Sequence, residues 1–178
     1  MEKLSCFNSV SGAEQLAIWA DLEILNQENI KINFKWQDLE NIILLAHLPA
    51  NSRANELWKQ TCFEVFFREK NKLSYYEINL STTKAWNFYK FKSYREPQPP
   101  SEFENIKNME ISYKINGEEN QLTANILLSN LDLAVIEVSL CAMVQLKTGG
   151  TTYWSTRHAD VKPNFHHANS FTLERKIQ

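Results

Sequence analysis

The sequence predicts an all-β chain folded as an antiparallel β-sandwich, of jelly-roll or immunoglobulin-like type. Apolar and polar residues alternate with a period of two along segment after segment, the signature of half-buried strands. Turn residues punctuate those segments at short intervals. The chain has no convincing long amphipathic helix and no strand–helix alternation, which argues against a parallel α/β sheet.

Taken in order, the first strand is expected at 15–25 (QLAIWADLEIL). The next places Ile30, Ile32, Phe34 and Trp36 on one face, with Lys31, Asn33 and Lys35 on the other. Shorter strands are expected at 41–46, 74–80 and 85–91. Over 62–69, Phe63, Val65 and Phe67 alternate with Cys62, Glu64, Phe66 and Arg68. Met109, Ile111, Tyr113 and Ile115 form one row, and Leu122, Ala124, Ile126 and Leu128 another, with Asn116-Gly117 between them as a hairpin turn. Val138, Leu140, Ala142, Val144 and Leu146 follow, then Gly149-Gly150 as the turn into 151–158, and a last strand at 170–177. Residues 47–60 and the Pro-rich stretch 93–105 read as loops, with a short helical turn at 53–59 or 130–134.

At 178 residues the chain has the length for one domain, 1–178, with a sizeable core. A net charge of −2, with no basic block interleaved with aromatics, points away from nucleic acid. No apolar run is long enough to span a bilayer, and MEKLSCFNSVSG does not read as a signal peptide, so no membrane partner and a cytoplasmic location are expected. Cys6, Cys62 and Cys141 are an odd, scattered set that reads as reduced thiols.

The polar rows of the expected strands are unusual. Tyr75, Glu77 and Asn79 share one side of a strand, and a hairpin between 62–69 and 74–80 would bring Glu64 onto the same face. A face of carboxylates, amides and aromatic rings suits a polyhydroxylated ligand, because the acceptors hold hydroxyls and the rings stack on C–H faces. Glu64, on an otherwise apolar strand, must be solvated, hydrogen-bonded or paired, with Arg68, Arg95 and Arg157 as plausible partners.

At LWKQTCFEVFF (57–67), YYEINLSTTKAWNFYKF (75–91) and NFHHANSFTLE (164–174) the chain resembles the DOMON-like bacterial proteins related to family 9 carbohydrate-binding modules. The resemblance implies a β-sandwich that binds a small ligand, a carbohydrate or sugar derivative first, without catalytic machinery. Haem binding, or a protein-interaction role without a small ligand, are the alternatives it leaves open. It implies ligand contacts from Trp58 and Glu64, six residues apart as in the sugar-binding modules, and from Glu77 and Asn79 in the following strand. The arginine that those modules carry in that strand is missing here. Trp154 is a possible second stacking ring and Arg157 a further hydrogen-bond donor. Structural calcium is also implied, although no D-x-D-x-D-G loop is present.

The span TTYWSTRHADVKPNFHH (151–167) holds three of the four histidines. His158, Asp160 and His166 or His167 could converge on a metal ion, but adjacent His166 and His167 point to opposite faces of an extended segment, and no zinc spacing is met. Loop anchoring is the plainer reading for these histidines. On the expected strand Thr152, Trp154, Thr156 and His158 face one way, and Tyr153, Ser155 and Arg157 the other. For haem, His47 with Met109 or Met143 would be the axial pair, against ordinary core packing for both methionines. Glu64 and Glu77 could be posed as a glycosidase pair and Cys62 as a nucleophile, but no catalytic constellation accompanies them.

Overall fold

A computed structural model describes residues 1–7, 12–47, 50–116, 118–131 and 133–177. The strands are β1 (Glu2–Lys3), β2 (Ser5–Cys6), β3 (Ala17–Ile24), β4 (Asn29–Gln37), β5 (Cys62–Glu69), β6 (Tyr75–Leu80) and β7 (Trp86–Phe91). They continue with β8 (Ser101–Glu102), β9 (Ile106–Asn116), β10 (Glu119–Leu128), β11 (Val135–Gln145), β12 (Thr151–Ser155) and β13 (Leu173–Lys176). Two antiparallel sheets stack on each other, as the alternation requires. One runs β1-β3-β4-β10-β9, the other β2-β12-β11-β5-β6-β7-β8, with β13 also paired to β11. Among the described residues no helix is long and apolar enough to cross a membrane.

The apolar rows meet between the sheets. Ile30, Ile32, Phe34 and Trp36 from β4 face Phe63, Val65 and Phe67 from β5 in one continuous core, with Leu122, Ala124 and Ile126 from β10 and Val138, Leu140 and Val144 from β11. Phe63 lies 4.5 Å from the Trp36 ring in a stacked arrangement and 5.2 Å from Phe34, so one ring knits the two sheets. The N-terminal segment crosses between sheets within a few residues: Glu2 and Lys3 pair with β3, Ser5 and Cys6 with β12, and buried Leu4 fills the gap.

Three expectations are revised. Residues 41–46 do not form a strand. The Asp38 carboxylate accepts the Ile42 and Ile43 amides at 2.8 and 3.0 Å, leaving a single bridge from Ile43 to Leu146. The last two strands are shorter than their apolar rows, ending at Ser155 and starting at Leu173. The polar rows of the eight-stranded sheet were expected on a half-exposed surface. Instead all six residues of β6 and the first six of β5 are buried, because loops cover that side too. The expected helical turn appears as a 3-10 turn over Leu57–Lys59. Asn116 pairs with Glu119, while Gly117 of the expected hairpin turn lies outside the described residues. Gly149 and Gly150 connect β11 to β12 at φ of 92° and 90°, a backbone region that a Cβ disfavours.

Replacing Phe63 with alanine removes the ring shared by both sheets. It is expected to destabilise the fold by about 3–5 kcal/mol, read as a lower urea midpoint with an unchanged m-value.

Candidate functional site

The second face of the eight-stranded sheet carries the site. Register sets its floor: Glu64 on β5 is opposite Asn79 on β6 and Cys141 on β11, and Glu77 lies between Phe66 and Tyr89. Glu64 and Glu77 are each only 4 % exposed, and Asn79 is fully buried. The Asn79 amide donates from Nδ2 to Glu77 Oε1 at 2.8 Å, and its own Oδ1 is buried without a hydrogen-bond partner.

Three segments outside the strands wall in this floor. The first is the 3-10 turn that carries Trp58, which meets Tyr89 edge-on at 5.7 Å. A polar clasp holds the chain leading to it. Arg53 donates from Nε to Asn87 Oδ1 at 2.9 Å and from Nη2 to Phe103 O at 2.8 Å, with its guanidinium 5.2 Å from the Trp86 ring. Asn87 Nδ2 and the Tyr89 hydroxyl both donate to Asn55 Oδ1, at 2.8 and 2.9 Å. The second wall is the Pro-rich loop with Arg95, Gln98 and Pro100. The third is the descent from β12 with Pro163, Phe165 and His166. Together with Phe91, Met143 and Tyr153 they enclose a cleft of about 330 Å³ over Glu64 and Glu77.

Tyr75 ties the second and third walls together. Its hydroxyl accepts from the Arg95 amide at 3.0 Å and lies 2.7 Å from His166 Nδ1. Burial first pushes the Tyr75 hydroxyl up to about 12, so it keeps its proton, and His166 Nδ1 is the acceptor placed to receive it. The imidazole therefore carries its own hydrogen on Nε2, which points toward Glu77 Oε2 at 3.7 Å. That separation is too long for a hydrogen bond. It is not an ion pair either: burial, followed by the nearby Arg95 charge, lowers His166 to about 3. Two rings pack edge-on against the imidazole and fix its position, Phe66 at 5.0 Å and Phe91 at 5.3 Å.

Burial pushes both carboxyls the other way. Glu77 rises to about 7, with the Asn79 hydrogen bond and the Arg95 charge pulling against desolvation. Glu64 rises well above the ordinary carboxylate range, through burial and then the neighbouring Glu77 charge. The Cys62 thiol beneath them is raised by burial and by both carboxylates, which makes it an unreactive thiol.

The structure thus brings together Trp58, Glu64, Glu77 and, behind the floor, Asn79. It separates two residues from them. Trp154 is only 4 % exposed and faces the main core, where its indole donates to Thr152 Oγ1 at 2.8 Å, so it cannot stack on a ligand in the cleft. Arg157 comes after β12 has ended; it is exposed, and its backbone amide and carbonyl both bond Ser155 Oγ. Of the arginines considered for Glu64, Arg95 is the one whose charge reaches it. Arg68 instead bonds Glu137 at 2.7 Å and covers the Phe171 ring.

The histidines are not gathered. His158 bonds the Ser5 carbonyl at 2.8 Å and packs edge-on against Phe7, anchoring β2, while His166 sits in the cleft. Among the described residues no group of three His, Cys, Asp or Glu side chains is placed to hold a metal ion. The residues considered as haem ligands also part company: Met109 packs on the main core from the five-stranded sheet, Met143 lines the cleft, and exposed His47 bonds Gln60 through its amide. Sequence reasoning missed Tyr153, Phe165 and Phe91 as cleft walls. Only the row containing Tyr153 had a signal, since its alternation with core-facing Trp154 puts it on this side.

No protein-family model matches the chain, and no curated protein matches it. Solved structures do. A family 9 carbohydrate-binding module from Caldicellulosiruptor kristjanssonii in complex with glucose superposes with a TM-score of 0.62 at 12 % identity, over 94 % of this chain and 80 % of that one. The same organism's family 9 module in complex with cellotriose gives 0.61 at 11 % identity, over 99 % and 83 %. A putative carbohydrate-binding protein from Bacteroides uniformis gives 0.65 at 13 % identity, over 99 % and 87 %. The chain therefore has the β-sandwich fold seen in family 9 carbohydrate-binding modules.

The raised carboxyl has a consequence for stability. Glu77 holds its proton more tightly folded than unfolded, so its contribution is complete below pH 4.5 and is lost as pH rises through about 7. Glu77→Gln, which cannot ionise, is expected to match wild type near pH 4.5. By pH 8 it should be more stable by about 1–3 kcal/mol, measured as the gap between urea midpoints across that range.

Proposed function

We propose that this protein binds carbohydrate in the cleft over Glu64 and Glu77, without chemical turnover. The supporting observation is the cleft itself: an apolar, ring-lined enclosure of about 330 Å³ over a floor of hydrogen-bonding oxygens. Such a shape fits a sugar ring, whose C–H faces pack on Trp58 and the facing rings while its hydroxyls reach the floor. The fold supports the same reading, because the proteins that share it include modules with glucose and cellotriose bound. Kinship with DOMON-like domains, suggested by the three sequence segments, belongs to the same proposal.

Within this reading each residue has a distinct task. Trp58 supplies the stacking face. Glu64 and Glu77 accept hydroxyl hydrogens, Asn79 holds the Glu77 carboxyl in place, and the His166 Nε2–H is a donor for a ligand oxygen.

The test is calorimetric titration with glucose, cellobiose and cellotriose. Saturable binding is expected, and Trp58→Ala should weaken it by about tenfold or more, the loss typical of a truncated aromatic anchor. Trp154→Phe, a change on the opposite face of β12, should leave the affinity unaltered. No heat with any sugar at high millimolar concentration would reject the proposal.

A further inference from the structure

We infer that the sugar this cleft selects carries a protonated amine. The inference rests on the carbohydrate reading above and concerns which carbohydrate. The floor has more acceptors than donors. Glu64 and Glu77 lie diagonally across the β5–β6 pair and both line the cleft, and Asn79 Oδ1 is buried behind them without a partner. The donors facing them are few: Asn79 Nδ2 is already spent on Glu77 Oε1, His166 Nε2 stands off at 3.7 Å, and the rest are the protons that the raised carboxyls hold themselves and that a cation would displace.

Charge points the same way. His166 is neutral, so the guanidinium of exposed Arg95, at the rim, is the positive group among the residues that line the cleft. A neutral hydroxyl can accept or donate, but it offsets no charge when the buried carboxyls ionise. An ammonium group supplies three donors and a full positive charge, and it satisfies both carboxylates at once. The walls favour it too. Trp58, Phe91, Tyr153 and Phe165 surround the floor, and the faces of aromatic rings attract cations most strongly where water is excluded. Two carboxylates under an aromatic enclosure form a cation site, and the size of the cleft admits a pyranose ring behind the ammonium.

Arg95 then has a defined part. It sits at the mouth on the loop pinned by Tyr75, and its charge holds both carboxyls lower than burial alone would. An incoming ammonium takes over that role at closer range, and binding releases protons from the carboxyl pair.

The experiment titrates the intact protein at pH 7 with glucosamine, glucose, N-acetylglucosamine and ethanolamine. Glucosamine is expected to bind about tenfold or more tightly than glucose or N-acetylglucosamine, the scale of one desolvated cation contact. Glu64→Gln and Glu77→Gln should each bring that ratio close to one. Glucosamine affinity should also increase from pH 5 to pH 7, with proton release seen as a dependence of the binding heat on the buffer. If glucose binds as tightly as glucosamine, the amine inference fails and the carbohydrate reading stands. Should ethanolamine bind as well as glucosamine, or calcium saturate the same carboxylates, the site recognises a cation without the sugar and the inference is overturned. Absence of binding by all three sugars would sink both readings together.

Discussion

The pairing of β5 with β6 is the constraint on which the rest depends. Val65 lies opposite Ile78 and Phe67 opposite Tyr76, so these side chains enter the core between the sheets. The same register sets Glu64 and Glu77 on the other side, next to each other in the middle of the sheet. Because side chains alternate at every residue, a slip of one position in either strand would send that strand's glutamate into the apolar core and bring its core side chains out. Core packing therefore enforces the placement of the polar floor, and the cost of unpairing the core protects the geometry of the site.

A floor of this kind needs a roof, since buried carboxyls under open solvent would simply ionise. The roof comes from segments outside the strands, each fastened by a polar residue that the strands supply. Asn87 and Tyr89 on β7 hold the approach to Trp58 through Asn55. Tyr75 on β6 holds both the Arg95 loop and His166. The outer side of β6 and β7 thus serves two purposes, with its amides and hydroxyls used as fasteners and its rings as walls.

Electrostatics inside this enclosure run opposite to those of an ordinary ion pair. A histidine and a glutamate face each other at 3.7 Å, yet burial drives both toward their neutral forms, and between about pH 3 and about pH 7 neither is charged. Low dielectric penalises each charge more than the other repays at that distance. The result is a neutral pair rather than a salt bridge.

Much of this was legible in the residues alone. Period-two alternation located the long strands because each has one face in the core, and the short link between β5 and β6 was enough to put Glu64 and Glu77 on one side. The strand at 41–46 failed because a side-chain carboxylate captured the amides that a partner strand would have used. Trp154 and Tyr153 show the limit most directly: alternation says that they face opposite ways, but not which way is inward. By itself the sequence determined the sandwich, its long strands and the shared face of the two glutamates, since these follow from local patterning and the demand to bury apolar rows. Only the tertiary structure decided that loops close over that face, that His166 joins the cleft while His158 does not, and that Trp154 belongs to the core. Those outcomes depend on contacts between segments as far apart as Tyr75 and His166, and no local pattern encodes them.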